Sequence, residues 1–307
     1  MKQQKPPFLK ALSFSENELR NAENTGLLEF RIHNGEECNL RCNYCVNDYS
    51  NSKENELTIE EQKKIISDAK EIGALTLTIL GGGEPTLKGN LTELTEYAYS
   101  LGLRIAVFTN MVNIDEKDAQ EMKTQGVNII GKLNSFDPKL QELMSGRDGT
   151  YRIFQDKIRM FRELGYTEDF ALGLHSVITT GNYKEIPALF IWCRELGIIP
   201  YLEDITTKGR ATPDMSLGRE ELTILFQKLS SIDKVAYEYY WQPRPPIVAG
   251  DYSRYRFVCT VDSFGNVYPT EATRGLLKDM NIRDKNLREI LDSEQYQTLR
   301  REDKHHA

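Results

Sequence analysis

The chain has 307 residues, 39% of them hydrophobic, with a formal charge of −7, so it can bury a core and is neither disordered nor collagen-like. Lys and Arg total 39 against 46 acidic residues, which argues against nucleic acid as a main partner, because phosphate binding needs a basic face. The longest purely apolar run, Ala188 to Cys193, is far short of the ~18–20 residues of a membrane span, and the N-terminus has no signal-like segment; a cytoplasmic protein with no membrane partner is expected.

Residues 1–26 read as a polar N-terminal extension with one helix near Ser15–Asn24. An alternation of strand and helix then begins. Strands are expected at Leu28–Ile32, Leu75–Leu80, Arg104–Phe108, Val127–Leu133, Ala171–Ile178 and Ile199–Glu203, each rich in β-branched or alternating apolar residues. Helical patterns lie between them, the first opened by the capping box Thr58-Ile-Glu-Glu61; others cover Leu91–Ser100, Glu116–Thr124, Pro138–Met144, Tyr151–Leu164 and Tyr183–Leu196. Consecutive β-α units require right-handed crossovers and a parallel sheet. Spacing alone fits either a doubly wound sheet or an incomplete barrel.

Beyond Arg210 the pattern changes. A helix is expected at Leu217–Leu229, and the aromatic and proline-rich stretch Tyr237–Pro246 fits neither a helix nor a central strand. Phe257–Asp262 and Asn266–Pro269 read as a β-hairpin around Ser263-Phe-Gly265, and Leu287–Leu299 as one last helix; Lys304-His-His306 reads as a tail.

Cysteine usage is uneven. Cys38, Cys42 and Cys45 fall within eight residues, directly after the first strand, whereas Cys193 and Cys259 stand alone. Clustered thiols in a chain without a secretion signal point to metal or redox chemistry rather than disulfides. Three thiolates from one loop leave the fourth coordination position of a metal or cluster open, as a catalytic centre requires. A zinc knuckle completed by His33 or a remote cysteine is the competing structural reading.

Gly81-Gly82-Gly83-Glu84-Pro85 follows the second strand. It is neither a phosphate loop, since no Lys-Ser/Thr follows, nor a dinucleotide fingerprint, since Thr86 replaces the third glycine. Consecutive glycines let the backbone approach a ligand closely, and Glu84 suits an ammonium group; a plain tight turn would use the same residues.

Together, Cys-x3-Cys-x2-Cys with Tyr44 before the third cysteine, and a Gly-Gly-Glu-Pro turn one β-α unit later, resemble the radical S-adenosylmethionine (SAM) superfamily over roughly residues 27–210. The resemblance implies an α/β fold, a partial (β/α)6 TIM barrel. It also implies a [4Fe–4S] cluster on Cys38, Cys42 and Cys45, with SAM on the fourth iron and a flavodoxin- or ferredoxin-type electron donor. Tyr44 matches the aromatic beside the adenine, and Gly82, Gly83 and Glu84 match the turn for the methionine ammonium. Asn110 matches the end of the third strand, although Met111 stands where relatives often carry glycine. Ser135 and Arg147 resemble a serine that contacts SAM and an arginine that pairs with its carboxylate. His175, on the fifth strand, reads as a packed barrel histidine.

The C-terminal segment from Phe257 to Leu291 resembles the SPASM/twitch extension, here a small α+β extension of β-hairpin plus helix. Thr270 stands where a second cysteine is usual and no later cysteine follows, so the scaffold is expected without its auxiliary cluster. The implied organisation is an N-terminal extension (1–26), a barrel (27–212) and a cluster-free extension (213–307). Lacking that electron exit, a redox-neutral reaction such as epimerisation or rearrangement is expected on a small-molecule or peptide substrate. A lone Cys259 facing the barrel mouth would be a candidate hydrogen-atom donor, against the plainer reading of a buried relict. Alternatives are a radical methyltransferase and a non-catalytic iron–sulfur or zinc protein with a degenerate SAM site.

Overall fold

Six β-α units wrap one sheet in the computed structural model, which describes residues 4–47, 54–243 and 252–302. The elements run α1 (Glu16–Thr25), β1 (Glu29–His33), α2 (Ile59–Ile72), β2 (Thr76–Leu80), α3 (Leu91–Ser100), β3 (Arg104–Phe108), α4 (Glu116–Thr124) and β4 (Asn128–Lys132). They continue with α5 (Pro138–Ser145), α6 (Thr150–Glu163), β5 (Leu172–Ile178), α7 (Ile186–Glu195), β6 (Ile199–Asp204) and α8 (Arg219–Tyr237). The chain closes with β7 (Val258–Val261), β8 (Val267–Tyr268), α9 (Leu287–Asp292) and α10 (Glu294–Glu302). Residues 244–246 of the aromatic-proline stretch and the Lys304-His-His306 tail lie outside the described residues.

The strand order is β6-β5-β4-β3-β2-β1-β7-β8, parallel from β6 to β7, with β8 antiparallel at the edge. The C-terminal hairpin thus belongs to the barrel's own sheet: β7 pairs with β1 in the register Phe30↔Cys259. Side chains alternate between two faces, as they must in a strand. Phe30, Ile32, Leu77, Ile79, Val107 and Ile129 point outward into one large core shared with the helices.

Helix ends follow local chemistry. The Thr58 hydroxyl accepts from the Glu61 N–H while Glu61 returns to the Thr58 N–H, the expected capping box. Three boundaries differ from the sequence reading. Helix α7 starts at Ile186 because Pro187 fits only a first turn. Helix α8 runs on to Tyr237 and stops where Glu238 turns left-handed. The expected last helix is two, because Ser293 is extended and its hydroxyl accepts from Tyr296 N–H.

The N-terminal extension plugs the bottom of the barrel. Leu9, Ala11 and Leu12 pack with the inward-facing Ala106, Ile130, Ile199, Tyr201 and Val258. Asn128 accepts from the Ala11 N–H at 2.8 Å, and Thr76 donates to the Ala11 carbonyl at 2.6 Å. Above this plug, Arg254 is fully buried, donating to Tyr201 and Tyr255 hydroxyls and lying 3.8 Å from Glu29. Burial opposes ionisation of Glu29, but Arg31 and Arg254 hold its carboxyl below the usual range.

Candidate active site

The C-terminal ends of parallel strands carry the exposed loops of such a barrel, and the predicted residues other than Arg147 and Cys259 lie there. The loop after β1 is anchored by the buried Leu40 and tied to the end of α5: Arg41 N–H donates to the Ser145 carbonyl and Asn43 N–H to that of Met144. Cys38, Cys42 and Cys45 are half-buried thiols on this loop. Burial, together with the neighbouring Cys45 and Cys38, pushes the Cys42 thiol up to about 11, offset in part by Tyr44 and Lys132. A bound cation would favour the Cys42 thiolate that burial and the neighbouring sulfurs disfavour. Among the described residues no three His, Cys, Asp or Glu are already gathered in metal-ligand geometry. The donor set still suits an iron–sulfur cluster: soft sulfurs, three from one loop, beside an open barrel mouth.

The glycine turn lies directly against this loop. Gly83 N–H donates to the Gly35 carbonyl at 3.1 Å and Glu84 N–H to that of Glu37 at 2.7 Å. A Cβ on Gly82 would sit 2.0 Å from Glu36 Oε1, and one on Gly83 2.0 Å from the Glu37 carbonyl oxygen. Only glycine permits this approach, so the turn is built around the cysteine loop.

Glu84 departs from its expected role as a group open to an ammonium ligand. Its buried carboxylate accepts from the Thr109 hydroxyl (2.6 Å), the Thr86 hydroxyl (2.9 Å) and the Asn110 N–H (2.7 Å). Burial raises its pKa, and these hydrogen bonds offset part of the rise. Its demonstrable work is to tie the turn to the end of β3. Asn110 in turn donates to Asn39 in the cysteine loop at 2.7 Å. Met111 takes the left-handed conformation (φ 66°) that makes glycine common there, and its sulfur packs over Gly131, where a Cβ would meet it at 2.2 Å.

Tyr44 is buried, and its hydroxyl accepts from Asn134 at 2.8 Å. Its ring packs with Met144, Val177, Ile205 and Ala211, a small apolar cluster at the mouth. Ser135 is fully buried and donates to Glu185 at 2.7 Å, while accepting from the Asp137 N–H; its hydroxyl is committed to the protein rather than offered to a ligand. Arg147 is exposed, in a shallow depression with Lys139, Glu142 and Asp148 on the outer side of α5, not in the chamber.

Cys259 does not face the mouth, contrary to the expectation for a hydrogen donor. It lies near the N-terminal end of β7, fully buried in the helix-facing core. Burial pushes its thiol up to about 12 against a hydrogen bond with Tyr296 of α10. The inward positions of β7 are its neighbours Val258 and Thr260, so the one-residue alternation of the strand turns the sulfur outward.

Sequence reasoning missed two features. Asn134 joins Tyr44 to the Val177 N–H, and Lys132, His175 and Glu203 form a chain inside the barrel. Position supplied a signal only for Lys132 and Glu203, at the ends of the fourth and sixth strands; Asn134 lies just beyond β4 and His175 at the centre of β5.

The family model of the radical SAM superfamily matches residues 35–193. Among curated proteins, the chain is 31% identical over 157 residues to Fe-coproporphyrin III synthase of Methanosarcina barkeri, covering 50% of this chain and 37% of that protein. The matched stretch spans about half the length of the curated relatives it resembles, from 37% to 56%. Among solved structures, Streptococcus suis SuiB bound to precursor peptide SuiA superposes with a TM-score of 0.72 at 18% identity, over 92% of this chain and 69% of that one. Native anSMEcpe with bound AdoMet and Cp18Cys peptide gives 0.67 at 17%, over 89% and 82%. Both share its fold. The matched family, the thiol loop and the glycine turn packed on it agree: this chain belongs to the radical SAM superfamily, whose enzymes use a [4Fe–4S] cluster and SAM.

Proposed function

We propose that this chain is an enzyme that cleaves SAM reductively at the mouth of its barrel and acts on a small molecule or a peptide. Cys38, Cys42 and Cys45 would hold the cluster. When bound, the cluster supplies one electron to the sulfonium of SAM, which breaks to methionine and a 5′-deoxyadenosyl radical able to take hydrogen from an unactivated C–H bond.

One observation carries the reading: two separate pieces of chain, the cysteine loop and the glycine turn, are fitted so closely that only glycine is admitted between them. A structural metal knuckle needs no such partner. In this arrangement Gly82 and Gly83 bring bare backbone to the methionine end of SAM, and Tyr44 with Val177 and Ile205 offers an apolar bed for its adenine. Glu84, Asn110 and Ser135 act as positioning residues through Thr109, Asn39 and Glu185. Arg147 lies at the outer rim, beside the loop on which a flavodoxin- or ferredoxin-type donor would deliver its electron.

The reaction is redox-neutral in this reading. Cys193 and Cys259 are buried separately in the helix-facing core, so they offer no second ligand set at the mouth. The names of curated relatives cover both substrate classes, a Fe-coproporphyrin III synthase and a PqqA peptide cyclase among them. The boundaries 1–26, 27–212 and 213–307 are kept as functional units: plug, six β-α units, and an extension whose β7 and β8 continue the barrel's sheet. No helix is long and apolar enough to cross a membrane among the described residues, and the cytoplasm is the proposed location.

The test is direct. Protein reconstituted with iron and sulfide without oxygen, reduced with dithionite and given SAM should form 5′-deoxyadenosine. A colourless protein holding fully coordinated zinc, with no 5′-deoxyadenosine formed, would overturn the reading.

A further inference from the structure

The inner wall of such a barrel is normally filled by layers of apolar side chains. That holds only at the bottom here, where the plug sits. Higher up, the inward positions are ionic. His33 and Arg31 come from β1, Lys132 from β4, His175 from β5 and Glu203 from β6, with Glu271 just beyond β8. Strand alternation turns the strand residues among them to the inner face that Ala106, Ile130, Ile199 and Tyr201 occupy lower down, and His33 brings Glu271 to it.

Hydrogen-bond accounting divides this wall in two. On one side are donors. Lys132 Nζ meets His175 Nδ1 at 2.5 Å, and His175 Nε2 lies 2.9 Å from a Glu203 oxygen. An ammonium has three donors, so this contact leaves others to face the chamber.

On the other side are acceptors. His33 Nε2 lies 2.7 Å from Glu271 Oε1, with the Tyr268 hydroxyl 3.3 Å from that same oxygen. His33 is 1% exposed, and both its Nδ1 and Glu271 Oε2 are buried without a hydrogen-bond partner. Burial opposes ionisation of Glu271, yet His33, Arg274 and Arg31 hold its carboxyl below the usual range. Buried polar atoms are nearly always paired, and a buried charge is best met by an opposite one.

We propose that this chamber binds a zwitterionic, α-amino-acid-like substrate, its anionic group on Lys132 and its ammonium on the unpaired Glu271 Oε2. The inference rests on the reading that the barrel encloses the substrate, and it narrows the substrate class within it. The His175–Glu203 pair acts as a positioning element, fixing the direction of Lys132. Burial alone lowers the pKa of Lys132, and an anion beside it restores the charged form. An internal residue of a peptide lacks both charges on one carbon; a neutral sugar lacks them altogether.

The experiment is calorimetric titration of the reconstituted, SAM-saturated protein, without oxygen, against the free amino acids. Each is paired with its deaminated acid and its decarboxylated amine. At least one amino acid should bind at one per chain beside SAM, with both truncated partners at least about tenfold weaker. Glu271→Gln should weaken the amino acid and the amine about tenfold and leave the acid unchanged; Lys132→Arg should keep, and Lys132→Met should lose, the preference for the anionic group. The analogue series runs on the unaltered protein, so a variant that fails to fold leaves the proposal open to refutation. Three outcomes overturn it while 5′-deoxyadenosine still forms: no amino acid binds, only methionine binds and SAM displaces it, or blocked peptides or neutral sugars bind equally well in all variants. Loss of 5′-deoxyadenosine formation itself would instead refute the underlying reading.

Discussion

The two ends of the barrel are closed by different physics. At the bottom, Leu9, Ala11 and Leu12 fill the space with apolar volume, and the opposite charges of Arg254 and Glu29 are fully enclosed there beside two tyrosine hydroxyls. At the mouth, the chain is held by backbone contacts that need bare glycine, with three half-buried thiols. Stability thus concentrates at one end, and chemistry at the other, where backbone must approach a ligand. Substitutions at the two ends should therefore separate in what they damage.

The largest separation is expected from Cys42→Ala. Iron retention and 5′-deoxyadenosine formation should fall at least about a hundredfold, while the far-ultraviolet spectrum and melting temperature of the metal-free protein stay close to the parent. Loss of fold instead would move the thiol loop into the structural half of the comparison. Next comes Arg254→Ala at the bottom. It leaves Glu29 enclosed with one cation fewer, which costs about 3–5 kcal/mol in urea unfolding. SAM affinity per folded molecule should be unchanged. An equal loss of SAM affinity would mean that the ends are coupled.

Much of this division was legible in the sequence, and the exceptions have causes. Strands such as Thr76–Leu80 announce themselves by β-branched residues ending at glycines, and α2 by Thr58 and Glu61. The plug was illegible, because Phe8 to Leu12 is too short for any period to emerge; its meaning lies in the barrel floor it meets. The pairing of β7 with β1 was equally hidden, since parallel partners 229 residues apart share no local signal. At the site, the cysteines and glycines were readable because covalent spacing and backbone freedom are local properties. Whether Glu84 or Ser135 reaches a ligand or a neighbour depends on Thr109, Asn110 and Glu185, which only folding brings near. Met111 shows the same limit: its left-handed backbone is tolerated because Gly131 makes room for its sulfur.

A smaller effect should sharpen the claim about the glycine turn. Gly82→Ala places a methyl group 2.0 Å from Glu36 Oε1, so turn or loop must move, at about 1–3 kcal/mol. The expected reading is weaker SAM binding by isothermal titration. Adding Glu36→Ala should recover part of it, a coupling that two unrelated sites would lack. Acid should act more weakly and on the chamber. Burial works against ionisation of Glu203, but His175 and Lys132 hold its carboxyl at about 2. Because that value lies below the ordinary 4.5, the stabilisation is complete above pH 4.5 and fades as pH falls towards 2. Between pH 5 and 3 the parent should therefore lose about 1–2 kcal/mol more than Glu203→Gln in urea unfolding.

The smallest change is expected from Cys259→Ala. The thiol is enclosed between β7 and α10, and the Tyr296 hydroxyl that meets it also donates to the Val258 carbonyl at 3.2 Å. Removing the sulfur therefore leaves no buried donor stranded, only a small void, so a loss of about 1 kcal/mol is expected. Radical quenching should proceed at the parental rate, measured as deuterium returned to product from labelled solvent or from 5′-deoxyadenosine. A variant that folds and cleaves SAM normally but fails to return hydrogen would show that β7 rotates its sulfur towards the mouth during turnover. The division between the structural and chemical parts of the barrel would then pass through β7 itself.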